Sequence, residues 1–147
     1  MTKAYICLST VAVIAQLVAL GSAKITQSCI ALIERGESGA LYLYDDYKGG
    51  VWYGAGMATK TKWDVLDGER LKNQATGKCL YARPQKDGAI NHYAGTKDCG
   101  SGDDQKWTLD RDGRVRNVQT GTELSLSEAN YSVLLREPGT RFKVDGC

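Results

Sequence analysis

The chain has a single histidine, His92, and no Cys-x-x-Cys pair, so it lacks the ligand spacing of a zinc site. No long run of Lys or Arg is present to neutralise phosphates or anionic lipid, which argues against nucleic acid or a membrane surface as partner. A nucleophile-and-base pair is missing too. A catalytic Ser or Cys would want an imidazole beside it, and His92 falls in an alternating, strand-like stretch. Helix signals are scarce: "ALYLY" and "SVLLRE" lack helical periodicity, while Gly and Asp-Gly punctuation recurs roughly every 8 to 12 residues, as in all-β domains.

The N-terminal stretch "MTKAYICLSTVAVIAQLVALGSA" has a basic Lys3, an apolar run from Tyr5 to Leu20 and a Gly21-Ser22-Ala23 ending, the build of a secretory signal. A single-span anchor is the alternative, but the run is shorter than the about 20 apolar residues a span needs. Residues 1–23 are therefore expected to be removed, leaving 24–147 as one secreted domain with no membrane span. Of 19 basic residues only Lys3 leaves with the signal, so the remaining chain nearly balances its 17 acidic ones. Cys29, Cys79, Cys99 and Cys147 remain, an even number suited to an oxidising compartment.

What the sequence does have is repetition. Laying Trp63 on Trp107 brings Arg70-Leu71-Lys72-Asn73 onto Arg114-Val115-Arg116-Asn117, Thr76-Gly77 onto Thr120-Gly121, and Leu80 onto Leu124. The "x-L-x-N-x-x-T-G-x-x-L" phrase reads as a hairpin, with alternating apolar positions for strands and Thr-Gly supplying a positive-φ turn. A fainter third copy runs through Leu32, Ser38-Gly39 and Leu41, and Phe142 stands where Trp63 and Trp107 stand. Three units that each carry one large ring predict a shared core to which each contributes, because none could bury its ring alone. Continued past Phe142, the spacing makes Cys147 and Cys29 fall on equivalent positions, so a closed ring brings the chain ends together and predicts a Cys29–Cys147 bridge. Cys79 and Cys99 then pair by elimination.

With these residues in view, "TGKCLYA", "DGAINHY", "DC" and "DDQKWTLDRDGRVRNVQTGTELSL" resemble the ricin B-type lectin family, strongly over Thr76 to Leu126 and in outline elsewhere. The resemblance implies a β-trefoil, three four-stranded units about a pseudo-three-fold axis, and a non-catalytic module that binds glycans or glycoproteins without a cofactor. It also implies how one unit's site is built: an Asp after the Cys-Leu pair, a polar residue and an aromatic on the next strand, and an Asp-Gln or Asn-Gln before the Trp. In the middle unit Asn91, Tyr93 and Asp104-Gln105 match. The leading Asp does not, its place being taken by Tyr42, Tyr81 and Ser125, and a phenol cannot replace a two-oxygen acceptor.

A sugar site needs an aromatic plate and fixed polar groups. Tyr81 and Tyr93 serve as platforms or as half-buried strand packing. Asp104 and Gln105 are ligands or the turn before Trp107. A further cluster in "YDDYKGGVWYG", Asp45, Asp46, Trp52 and Tyr53, is a glycan-contacting loop or plain surface. Asn130-Tyr131-Ser132 is a glycosylation sequon. The reading is a secreted lectin-like protein. Its alternative is a secreted interaction protein, a protease inhibitor, effector or toxin subunit, that binds a protein partner on the same scaffold. Adjacent acids such as Asp45-Asp46 or Asp103-Asp104 in a polar loop stay ionised, which argues against glycoside hydrolysis.

Overall fold

The computed structural model describes residues 24–36, 39–56, 59–86 and 92–147. The expected signal segment, Ser38 and Asn91 lie outside them. Among the described residues twelve strands fall into three groups of four. The first unit holds β1 (Ile25–Gly36), β2 (Gly39–Asp45), β3 (Val51–Gly54) and β4 (Trp63–Leu66). The second holds β5 (Arg70–Asn73), β6 (Cys79–Ala82), β7 (His92–Lys97) and β8 (Trp107–Leu109). The third holds β9 (Val115–Asn117), β10 (Glu123–Leu126), β11 (Val133–Arg136) and β12 (Lys143–Gly146). The fold is an all-β trefoil, and among the described residues no helix is long and apolar enough to cross a membrane.

Ladders β4–β5, β8–β9 and β12–β1 form three equivalent barrel pairs, two of them hairpins and the third joining the first strand to the last. One strand of each is joined to the next hairpin in the same way: Ile30 pairs with Trp63, Trp107 N–H donates to Glu69 O at 2.7 Å, and Phe142 N–H donates to Gly113 O at 2.8 Å. Hairpins β2–β3, β6–β7 and β10–β11 make the cap.

The repeat phrase is legible atom by atom. Asn73 and Asn117, both fully buried, do the same work. Asn73 Oδ1 accepts from the backbone N–H of Ala75 (3.0 Å) and Thr76 (3.2 Å), and Asn117 Oδ1 from Gln119 and Thr120 (both 3.1 Å). Their amide groups donate to Lys60 O (2.8 Å) and Asp104 O (2.9 Å), fixing the turn ahead of each tryptophan. Gly77 (φ 69°) and Gly121 (φ 68°) take the left-handed conformation that the Thr-Gly step was expected to need.

Trp63, Trp107 and Phe142 are buried in one core with Leu32, Leu71 and Val115. Both bridges form, Cys29–Cys147 and Cys79–Cys99, and Cys147 N–H also donates to Cys29 O at 3.0 Å. The first-unit register differs from expectation by two residues. Ile33 pairs with Tyr42, so Leu32 faces Leu43, as Leu71 faces Leu80 and Val115 faces Leu124. The counterpart of Leu80 is therefore Leu43, not Leu41, because the β1–β2 hairpin is two residues longer than its siblings.

Candidate functional site

That register change moves the first-unit site position from Tyr42 to Tyr44, beside Tyr81 and Ser125. A cation meets each of the three. Lys60 Nζ lies 4.9 Å from the Tyr44 ring centre and Lys97 Nζ lies 4.6 Å from that of Tyr81, within cation–π reach. Arg136 Nε donates to Ser125 Oγ at 2.8 Å. Where the resemblance implies a carboxylate to accept sugar hydroxyls, the chain thus has a positive side chain over a phenol or hydroxyl.

In the middle unit Asp104 Oδ2 sits 2.5 Å from Lys97 Nζ, so Lys97 links the Tyr81 ring to the Asp104 carboxylate. Gln105 lies in the turn before Trp107. It is buried, its Oε1 accepts from Gly100 N–H (2.8 Å) and its Nε2 donates to Asp98 O (2.9 Å), so it pins the loop carrying Cys99. Asp45 is also internal. It is wholly buried, accepting from Thr76 Oγ1 (2.7 Å) and Tyr47 N–H (3.0 Å), which ties the first unit to the turn of the second. Tyr53, grouped with the loop by sequence, is core, its ring stacked on Phe142 with centres 5.6 Å apart.

Asp46 and Trp52 have a different fate. Asp46 Oδ1 accepts from the backbone N–H of Lys48 (2.7 Å) and Gly50 (2.8 Å), and Oδ2 accepts from the Trp52 indole N–H (2.9 Å). Partial burial opposes the charge of Asp46, but these donors and the nearby Lys48 together hold its carboxyl below the ordinary aspartate value. The half-buried Trp52 ring is thereby locked in one orientation.

The third strands of the three units meet here. Gly50 bridges to Gly95, Trp52 to Ser132, and Leu134 pairs with Tyr93. Around this junction lies a cleft of about 320 Å³ whose walls include Trp52 from the first unit, Arg83 and Tyr93 from the second, and Asn130 and Ser132 from the third. Two aromatic rings that sequence assigned to separate candidate sites therefore line a single one. Tyr93 is partly exposed, and Ser132 Oγ donates to Asn130 Oδ1 at 2.6 Å, which orders the rim.

Arg83 went unnoticed in the sequence, although its two-residue offset from Tyr81 puts both on one face of the β6 edge. The absence of a side chain at Gly95 makes room for it: a Cβ there would stand 2.4 Å from Arg83 Nε and 3.0 Å from Tyr81 Cε1. The backbone of Arg83 is fixed to β7, donating its N–H to Tyr93 O at 2.9 Å, while the His92 ring contacts its carbonyl.

A second cavity, about 350 Å³, lies among the barrel strands against Leu32, Val65, Leu71, Leu109 and Val115. Its walls are mainly aliphatic and suit a sugar's hydroxyls poorly. Among the described residues no group of three His, Cys, Asp or Glu is placed to hold a metal ion.

Comparison with known proteins agrees with this architecture. The family described as ricin-type beta-trefoil lectin domain matches residues 55–138, more than half the chain. No curated protein matches in sequence. Among solved structures, a non-toxic homologue of type II RIPs from Momordica charantia (bitter gourd), in complex with alpha-methyl-D-galactoside, superposes with TM-score 0.64 at 12% identity, over 82% of this chain and 48% of that one. This chain thus spans about half the length of the bitter gourd protein. A Culex salivary protein of the Cysteine and Tryptophan-Rich family superposes with TM-score 0.65 at 18% identity, over 86% of this chain and 98% of that one.

Proposed function

Because the chain belongs to the ricin-type β-trefoil lectin family, we propose that it is a secreted, non-catalytic carbohydrate-binding protein whose site is the inter-unit cleft. The observation that carries this reading is the convergence of Trp52 and Tyr93 on one cleft with Asn130 and Ser132 at its rim. An aromatic wall suits the weakly apolar C–H face of a pyranose, and amide and hydroxyl groups suit its hydroxyls. The cation-covered positions at Tyr44, Tyr81 and Ser125 speak against the sites within the units. Asn91 of the expected set remains a candidate, and Tyr81 and Asp104 are assigned to structure. Two disulfides support an oxidising, extracellular location.

A glycan array run on the wild type, Trp52→Ala, Tyr93→Ala and Tyr81→Ala tests it. Signal on a set of glycans that disappears in the first two variants and persists in the third supports the cleft. Loss only in Tyr81→Ala would return the site to the middle unit.

A protein partner is the second reading, favoured by Tyr47 and Tyr131. Both rings are more than half exposed on residues of left-handed backbone, and exposed aromatics suit protein contacts. Recovery of one protein from secreted fractions, undisturbed by free sugars, would support it.

A further inference from the structure

Arg83 is the one charged side chain among the described residues that line the cleft. Among the described residues three arginines are ion-paired: Arg70 with Asp67, Arg114 and Arg116 with Glu123, Arg116 also with Glu137. Arg83 pairs with no described carboxylate. Its Nη2 donates to the neutral carbonyl of Gly49, and its Nε is buried with no described acceptor. A guanidinium at a cleft wall with no carboxylate to neutralise it leaves a positive charge that a bound anion can pair.

We propose, resting on the cleft as the glycan site, that its ligand is an anionic glycan, one that carries a carboxylate or a sulfate ester, and that Arg83 receives the charge. The fork of guanidinium donors fits two oxygens of such a group, as an ammonium would not. Trp52 and Tyr93 then contact the ring that bears it. Asp46, the carboxylate bonded to Trp52, is already engaged by three donors, all within the β2–β3 hairpin.

The test uses the full secreted protein and titrates four oligosaccharide probes: a sialylated one, a hexuronate-containing one, a sulfated one and a neutral one of matching length. Binding of one or more anionic probes, at least about tenfold tighter than the neutral one and weakened by at least about tenfold in Arg83→Gln, is the expected result. Which anionic arm responds tells carboxylate from sulfate. Arg83→Lys keeps the charge but loses the fork, so it should fall between wild type and Arg83→Gln, and thermal melting of each variant confirms that it is folded. Equal binding of neutral and anionic probes, abolished by Trp52→Ala yet untouched by Arg83→Gln, overturns the charge assignment and leaves the glycan site standing. No binding of any probe by folded protein overturns both.

Discussion

Trp107 donates its indole N–H to the carbonyl of Leu80 across 3.0 Å. Trp63 makes the same bond to Leu43 at 3.1 Å. In the third unit Phe142 has no such donor, and the matching carbonyl, Leu124 O, takes the backbone N–H of Thr140 at 3.0 Å. The ring positions are thus equivalent in packing and only two of them use a polar handle.

Replacing Trp107 with Ala should cost about 3 to 5 kcal/mol, a large part of a small domain's stability. Trp107→Phe keeps a ring but leaves Leu80 O unpaired in the interior, and should cost less, about 1 to 3 kcal/mol. Denaturant unfolding of the two variants checks the order. An alanine variant that melts cooperatively near wild type would contradict a shared core.

The same bonds show what could be read in the sequence and what could not. Between the second and third units the register was legible, because "L-x-N-x-x-T-G-x-x-L" fixes both strands and the turn between them. The first unit misleads: its longer hairpin shifts Leu43 by two, and a shift of two leaves the in-out alternation intact, so Leu41 satisfies the pattern equally well. Asp45 and Gln105 misled for a different reason, since a polar residue in a loop phrase carries no sign of whether its oxygens serve a ligand or the fold. The cleft was beyond reach of local pattern altogether. Trp52, Tyr93 and Ser132 meet only because the third strands of three different units converge at the cap.

Asp46 makes the cleft acid-sensitive. Its folded-state carboxyl titrates below the ordinary value of 3.8, so its contribution is complete above that value and is lost as pH falls below it. Asp64 shifts the same way: burial opposes its charge, but the Cys29 backbone N–H, the Gln74 side-chain amide, the Ser28 hydroxyl and the nearby Lys72 outweigh it, so overall stability declines over the same range. The cleft's own share is isolated with Asp46→Ala. That variant should stay folded at pH 7 with a lowered melting temperature, since three donors lose their acceptor, and should lose most glycan affinity, because the indole of Trp52 is no longer held. Full affinity in folded Asp46→Ala would show that the ring needs no such anchor.

Glu123 is buried against Arg114 (3.3 Å) and Arg116 (2.7 Å), with Gly139 N–H donating to its other oxygen at 2.8 Å. It occupies the position of Cys79 in the second unit, so an ionic cluster stands in the third unit where a disulfide stands in the second. Removing both arginines strands a buried carboxylate, and Arg114→Ala/Arg116→Ala should cost about 3 to 5 kcal/mol. Each single variant should cost clearly less, since one guanidinium remains. Additive single and double effects in a double-mutant cycle would show that the two do not share Glu123.

The chain's three tryptophans give the most direct test of the cleft. Each carries one indole N–H, and in a nitrogen-15 labelled sample each gives a separate resonance, assignable with Trp52→Phe. Titrating the best glycan from the array should move the Trp52 indole signal in step with binding and leave those of the buried Trp63 and Trp107 in place. A glycan that binds without moving the Trp52 resonance would contradict the account.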